Sequence, residues 1–294
     1  MPATWHVVAK LCAPTLPDQP ALRDIIKRHG LSARRSFGQH FLLDMNLTRR
    51  IARSAGDMSG MTAIEIGPGP GGLTRALLET DAVRVIAIEH DARCVAALAE
   101  LGSDEGARLE VIHADALRLD LAELAGGAPT RIVANLPYNI ATPLLIGWLG
   151  QAGAFQSMTL MFQKEVAQRL GARTGDPTYG RLSVITSWLC TVELLFDVSP
   201  KAFVPPPKVT STVVHLTPRR EPLAPARMSD LERVTGAAFG QRRKMLRSSL
   251  KPLIDGLVPM LEELNIPPTA RAEELDVEQF CAIARAVARL GLRE

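Results

Sequence analysis

Cysteine is scarce in this 294-residue sequence: Cys12, Cys94, Cys190 and Cys281 lie more than 80 positions apart and form no CxxC pair or Cys/His cluster. That spacing argues against a disulfide framework or a structural zinc site and favours a reducing compartment, so a cytoplasmic protein without a bound metal is expected. No apolar run approaches the roughly 18 residues that a spanning helix needs, which excludes membrane insertion for a helical protein. The first twenty residues lack the basic flank and apolar block of a secretory signal. With four prolines and a single acid they read as a loose extension; a mitochondrial presequence stays open, although no arginine precedes Arg23. What remains, 47% hydrophobic and 22% charged residues, is ordinary globular composition.

Net charge is nearly absent too, at +3, but it is unevenly spread. Between Arg23 and Arg53 the local net charge is +6, from Arg23, Lys27, Arg28, Arg34, Arg35, Arg49, Arg50 and Arg53 against Asp24 and Asp44. Between Arg233 and Ile254 it is again +6, from Arg233, Arg242, Arg243, Lys244, Arg247 and Lys251 with no acid. The rest of the chain carries −9. An isolated basic run is usually a solvated helix face, whereas two on an acidic body suggest a polyanionic partner.

From residue 62, short β-branched runs alternate with longer amphipathic stretches, the rhythm of a parallel sheet covered by helices on both faces. Seven strands are predicted, at 62–67, 83–89, 109–113, 132–135, 158–163, 192–198 and 212–217, with intervening helices at 73–78, 94–101, 143–149 and 164–170. The last two strands are separated by the loop Pro205-Pro206-Pro207, with no room for a helix, so a mixed sheet edge is expected. After Pro218 the strand pattern ends. Ser229 with Glu232 predicts a capping box and a helix start, and further amphipathic segments at 257–264 and 277–290 complete a small all-helical domain. The expected division is an extension over 1–30, an α/β domain over 31–220 and a helical domain over 226–294.

The stretch Glu65-Ile66-Gly67-Pro68-Gly69-Pro70-Gly71-Gly72 follows the first strand and opens a helix, as a nucleotide-binding turn does. Glu89 ends the next strand 22 residues after Gly67, where an acid can accept from ribose hydroxyls. An NAD or FAD fold, or a plain tight turn, answers the same pattern. S-adenosylmethionine is favoured by the acidic start at Glu65, by prolines where a pyrophosphate loop places small residues, and by Asp115 after the third strand, placed to accept from an adenine amine. Asp115 alone would read as a helix cap.

The fourth strand ends in Asn135-Leu136-Pro137-Tyr138. The exocyclic amine of a base is a poor nucleophile because its lone pair is delocalised into the ring. Acceptors aimed at its two protons favour the pyramidal form that develops in the transition state. The Asn135 side-chain carbonyl and the Leu136 main-chain carbonyl can be those acceptors, with Pro137 fixing the turn and Tyr138 stacking on the base. An Asx-Pro turn with no chemistry is the alternative. No dedicated general base is evident, so positioning is expected to supply most of the rate.

These strings, with Arg35 to Leu42, Phe162 to Val166, Tyr179 to Ser183, Phe203 to Val209 and Phe239 to Lys244, resemble in order the ribosomal RNA small-subunit adenine dimethyltransferase family, from about Leu31 to the C-terminal helices. The resemblance implies a seven-stranded Rossmann-like S-adenosylmethionine-dependent methyltransferase fold with a small C-terminal all-helical domain. It implies dimethylation of two adjacent adenosines near the 3′ end of 16S ribosomal RNA within the assembling 30S subunit, by a monomer acting late in assembly. By motif, His40, Leu42, Gly67, Glu89, Asp115 and Asn135 would hold the cofactor. Tyr138 and Phe203 would sandwich the target base, while Arg242, Arg243 and Lys244 would hold RNA. The family commonly has Asn where this sequence has His40, although neutral histidine can still donate a hydrogen bond. Three rivals are a large-subunit enzyme of the macrolide-resistance type, which does not usually share Phe239 to Lys244, a non-catalytic assembly factor, and a DNA adenine methyltransferase.

Overall fold

The structure is a computed structural model that describes residues 20–31, 39–101 and 108–290, together with the backbone of 7–11. Cys12, Arg34 of the basic cluster and the motif residues Arg35 to Gly38 lie outside the described residues. The chain divides into two compact units, one of Met1–Lys164 with Glu193–Thr217, the other of Glu165–Val192 with Pro218–Glu294.

The first unit runs, in chain order, through β1 (Val7–Leu11), α1 (Leu22–Arg28), β2 (Phe41–Leu42), α2 (Met45–Arg53), β3 (Thr62–Ile66), α3 (Gly72–Leu78), β4 (Arg84–Glu89), α4 (Ala92–Leu98), β5 (Leu109–His113), α5 (Leu121–Ala125), β6 (Thr130–Asn135), α6 (Tyr138–Leu149) and β7 (Ser157–Gln163). After two helices of the other unit it resumes with β8 (Cys190–Val198), β9 (Phe203–Val204) and β10 (Ser211–Pro218). Eight strands form one sheet in the order β1-β5-β4-β3-β6-β7-β10-β8. The inner strands β5, β4, β3, β6 and β7 are parallel, while β10 runs antiparallel to β7 and β1 antiparallel to β5. All five residues of β3 are buried, including Glu65, as a strand covered on both faces requires. Strand order reverses on either side of β3, and the crevice beyond the carboxyl ends of β3 and β6 is where such sheets receive ligands.

The second unit contains α7 (Lys164–Gly171, from Glu165 onward), α8 (Arg181–Leu189), α9 (Met228–Gly240), α10 (Leu246–Ser249), α11 (Leu257–Glu263) and α12 (Val277–Leu290). Its core joins Val184 and Trp188 of α8 to Leu231 and Val234 of α9 and to Phe280 and Ile283 of α12. Phe239 bridges the rings of Tyr179 and Phe280 at 5.8 and 5.4 Å.

Four expectations are corrected. Residues 7–11 are not loose: they add an eighth strand, pairing Leu11 with Leu109 and Val7 with Ile112. Residues 165–192 leave the α/β domain, because the apolar face of α8 packs into the helical core. Ser229 does not cap α9; the N-cap is Arg227, whose Nε meets Asp230 at 2.6 Å, and Glu232 instead pairs with Arg181 of α8 at 3.1 Å. Finally, the connection expected as a loop between the last two strands carries β9, which pairs with β2 in a separate two-stranded ladder, Phe41 opposite Val204 and Leu42 opposite Phe203.

Candidate active site

One cavity of about 240 Å³ opens at the switch point of the sheet. It is lined by segment 39–42, the loop after β3, the ends of β4 and β5, and residues 135–140. The loop can lie so close because of its glycines. Gly69 has φ +56°, a left-handed conformation, and a Cβ on Gly72 would sit 2.6 Å from the Leu42 carbonyl oxygen.

Two carboxylates are buried in this wall. Glu89 accepts from the backbone N–H of His90 at 2.8 Å and Asp91 at 2.7 Å through Oε1, and from Gly69 N–H at 3.0 Å through Oε2. Its carboxyl is nonetheless shifted up, because burial outweighs those three donors. Glu65, 1% exposed, is pushed up to about 8 by burial, with the Glu89 charge adding to the effect, and its Oε2 has no hydrogen-bond partner among the described residues. A buried polar atom left unpaired against a cavity calls for a donor from a ligand. Asp115, at the end of β5, caps the turn 116–118 through Leu117 N–H at 3.0 Å and borders the cavity with its side chain 36% exposed. Leu117 beside it is 49% exposed, an apolar side chain at the lip.

At the other end, Asn135 terminates β6 and its Nδ2 donates to the His40 carbonyl oxygen at 3.2 Å. That bond commits the amide nitrogen to the protein, so Oδ1 is the end left to accept from a ligand. Leu136 and Pro137 follow in the wall, and Pro137, φ −59°, is the N-cap of α6. Tyr138, half-buried, opens that helix; its Oη lies 2.5 Å from Ser211 Oγ. Burial shifts its hydroxyl up, so the phenol is neutral at physiological pH. His40 Nδ1 is 2.8 Å from the Pro205 carbonyl oxygen, and because that oxygen can only accept, Nδ1 carries the proton. The His40 ring lies 5.5 Å from Tyr138 and meets Phe203 edge-on at 6.4 Å.

The cavity thus brings together His40, Leu42, Gly67, Glu89, Asp115, Asn135, Leu136, Pro137 and Tyr138. Phe203 is not among them: it is 2% exposed, packed in the core of the first unit, with His40 in the cavity wall beside it. The expected sandwich of Tyr138 and Phe203 is therefore not assembled in this structure, since the β2–β9 pairing turns Phe203 inward. In the second unit Arg242 is committed to Glu273 at 2.7 Å, whereas Arg243 and Lys244 are exposed. The sequence reading used Glu65 only as the acidic start of a loop and passed over Leu117 and Ser211. Glu65 was detectable as a charge inside an apolar strand run.

Residues 30–289 match the family model described as ribosomal RNA adenine dimethylase. The chain belongs to that family. Its members similar to this chain include the ribosomal RNA small subunit methyltransferase A of Rhodospirillum rubrum, 62% identical over 92% of this chain and 94% of that one. The protein of the same name from Paramagnetospirillum magneticum is 62% identical, with 92% and 96% covered. Among solved structures, a dimethyladenosine transferase from Plasmodium falciparum superposes with a TM-score of 0.72 at 26% identity, over 86% of this chain and 99% of that one. The 23S rRNA methyltransferase ErmE gives 0.62 at 28%, over 84% and 99%. The fold of this family member is thus the Rossmann-like methyltransferase sheet with a helical C-terminal part.

Proposed function

We propose that this family member transfers methyl groups from S-adenosylmethionine to the exocyclic amines of adenosines in small-subunit ribosomal RNA, two adjacent ones near the 3′ end. The observation that supports the reading is the orientation of Asn135 in the cavity wall: its Nδ2 is tied to the His40 carbonyl, which leaves Oδ1 to accept from a base. The names of the relatives at 62% identity favour the small subunit over the large.

The residues of the cavity fit the cofactor. Glu89, its carboxylate already oriented by three backbone donors, has lone pairs left for ribose hydroxyls. Asp115 can accept from the adenine amine, and Glu65 Oε2, on a carboxyl that burial keeps protonated to about pH 8, offers a buried polar atom to a hydrogen-bonding group of the cofactor. When bound, the cofactor supplies a methyl group activated by its sulfonium. Asn135 Oδ1 and the Leu136 carbonyl would then accept hydrogen bonds from the two amine N–H groups of the base and favour its pyramidal, nucleophilic form, while the Tyr138 ring holds the base in line; the proton given up by the methylated nitrogen would pass to water. After one methyl group has been added, one N–H remains for one acceptor, so the second transfer uses the same site with half the hydrogen bonding. A base must leave its stack to reach this cavity, as it does for other enzymes that act on bases.

Exposed Arg243 and Lys244 are the residues proposed to meet the RNA backbone, and a monomer in the cytoplasm acting on the assembling 30S subunit is the reading that goes with them. The test is mass spectrometry of ribosomal RNA from cells with and without the gene, joined to methylation of isolated small subunits that lack the mark. Dimethyladenosine that disappears from the small-subunit RNA supports the reading. Loss from the large-subunit RNA, or equal labelling of duplex DNA, overturns it.

A further inference from the structure

Ser211 is the first residue of β10 and is 0% exposed. At a dry position in a strand an apolar side chain packs at no polar cost, as Val213 and Val214 do two and three residues on. The hydroxyl is therefore the feature to explain, and it is spent on one contact, the 2.5 Å bond to Tyr138 Oη. Separating the two costs the Ser211 hydroxyl most, because at 0% exposure it would be left without water or partner.

Tyr138 is constrained at its other end as well. Its backbone is the first turn of α6, three residues after Asn135, which leaves two side-chain torsions as its freedom. The His40 ring lies against it at 5.5 Å and 31°, itself tied to the Pro205 carbonyl. Ser211 fixes the far end of the phenol, and Ser211 in turn sits in register opposite Gln163 of β7, with its neighbour Thr212 bonded to Asp197 at 2.7 Å. The plane of the ring is thus set by the sheet.

We propose that Ser211 is a positioning residue for methyl transfer: by holding the Tyr138 hydroxyl it fixes the ring plane on which the target base rests, and with it the height at which the amine meets Asn135 Oδ1. This rests on the functional reading above. Displacement of a reacting group by about 1 Å can cost on the order of a hundredfold in rate, so a ring free to tilt lowers turnover without touching the cofactor.

The experiment compares Ser211→Ala, Ser211→Thr, Tyr138→Phe and the double variant Ser211→Ala/Tyr138→Phe on isolated small subunits lacking the mark. Ser211→Ala and Tyr138→Phe are each expected to lower kcat about tenfold, with the double variant no worse than either, because both remove the same bond. Ser211→Thr restores most of the turnover, and S-adenosylmethionine affinity stays within about twofold in all four. A second readout is independent of activity. The chain has two tyrosines, Tyr138 and Tyr179, so ring-labelled tyrosine gives two sets of carbon resonances, and Ser211→Ala should move the Tyr138 set and leave the Tyr179 set in place. Wild-type turnover in Ser211→Ala, multiplicative losses in the double variant, or an unmoved Tyr138 signal overturns the proposal. If the wild type fails to methylate small subunits, the functional reading fails on its own, and the resonances still report whether Ser211 holds the ring.

Discussion

Single residues carry the chemistry here through what they are prevented from doing. Asn135 could turn its amide either way, but the His40 carbonyl takes the nitrogen. Asn135→Ala is expected to lower kcat by about a hundredfold or more, the loss typical of removing one preorganised hydrogen-bond group, while cofactor affinity measured by calorimetry changes by no more than a few-fold. Glu65 makes a pH prediction. In the unfolded chain a glutamate loses its proton near 4.5, and in the folded protein Glu65 holds it to about 8. Between those values the folded state binds the extra proton, so stability present below 4.5 is lost as pH rises through 8. Glu65→Gln, which cannot ionise, should therefore melt increasingly above the wild type as thermal scans move from pH 5 to pH 9, the more so because it also removes the repulsion between Glu65 and Glu89. A constant difference across that range would mean that Glu65 is not buried as a neutral acid. Two cysteine thiols are disarmed by the same burial: Cys190 is pushed up to about 12 and Cys281 to about 11.

At the scale of elements, close approach of backbone to backbone shapes the cavity. Gly72→Ala should weaken cofactor binding by tenfold or more and lower the melting temperature, because its Cβ would meet a main-chain oxygen that no rotamer change can move. Gly147→Ala, in the last turn of α6 with nothing within 4 Å of the added carbon, is the control and should be neutral or stabilise by less than about 1 kcal/mol, the value for a helix interior. The strands β3 to β7 were legible in the sequence because each is a short β-branched run between turn residues. The loops at their ends followed from that, and with them Gly67, Glu89, Asp115 and Asn135. What was not legible depended on contacts distant in sequence. The two-residue strands β2 and β9 have no local signal, and only their pairing turns Phe203 into the core. The Ser229 cap failed because Asp230 found Arg227 and Glu232 found Arg181. The allegiance of α8 is invisible to any reading that assumes a domain is continuous in chain order.

For the whole molecule, the uneven charge read from the sequence is only partly available to a partner. Arg49 is held by Glu79 at 2.6 Å, Arg50 lies over the Phe196 ring at 3.6 Å, and Arg242 pairs with Glu273. Arg243→Gln with Lys244→Gln is therefore expected to weaken small-subunit binding and reduce its salt slope by about 2, one unit per lost phosphate contact. Arg242→Gln should instead lower the melting temperature and leave the slope nearly unchanged. Filter binding across a salt series separates the two, and a slope that falls with Arg242 would reassign that residue to the RNA.

The strand β1 lies ahead of the region matched by the family model, yet it forms one edge of the main sheet, covering Leu109 to Ile112 of β5. Without it, β5 would present a row of unsatisfied amides and carbonyls, a template on which a second molecule can add. A variant lacking β1 is therefore expected to move the open edge of the sheet onto the buried strand β5, keeping the residues of the cavity while gaining a tendency to self-associate on storage.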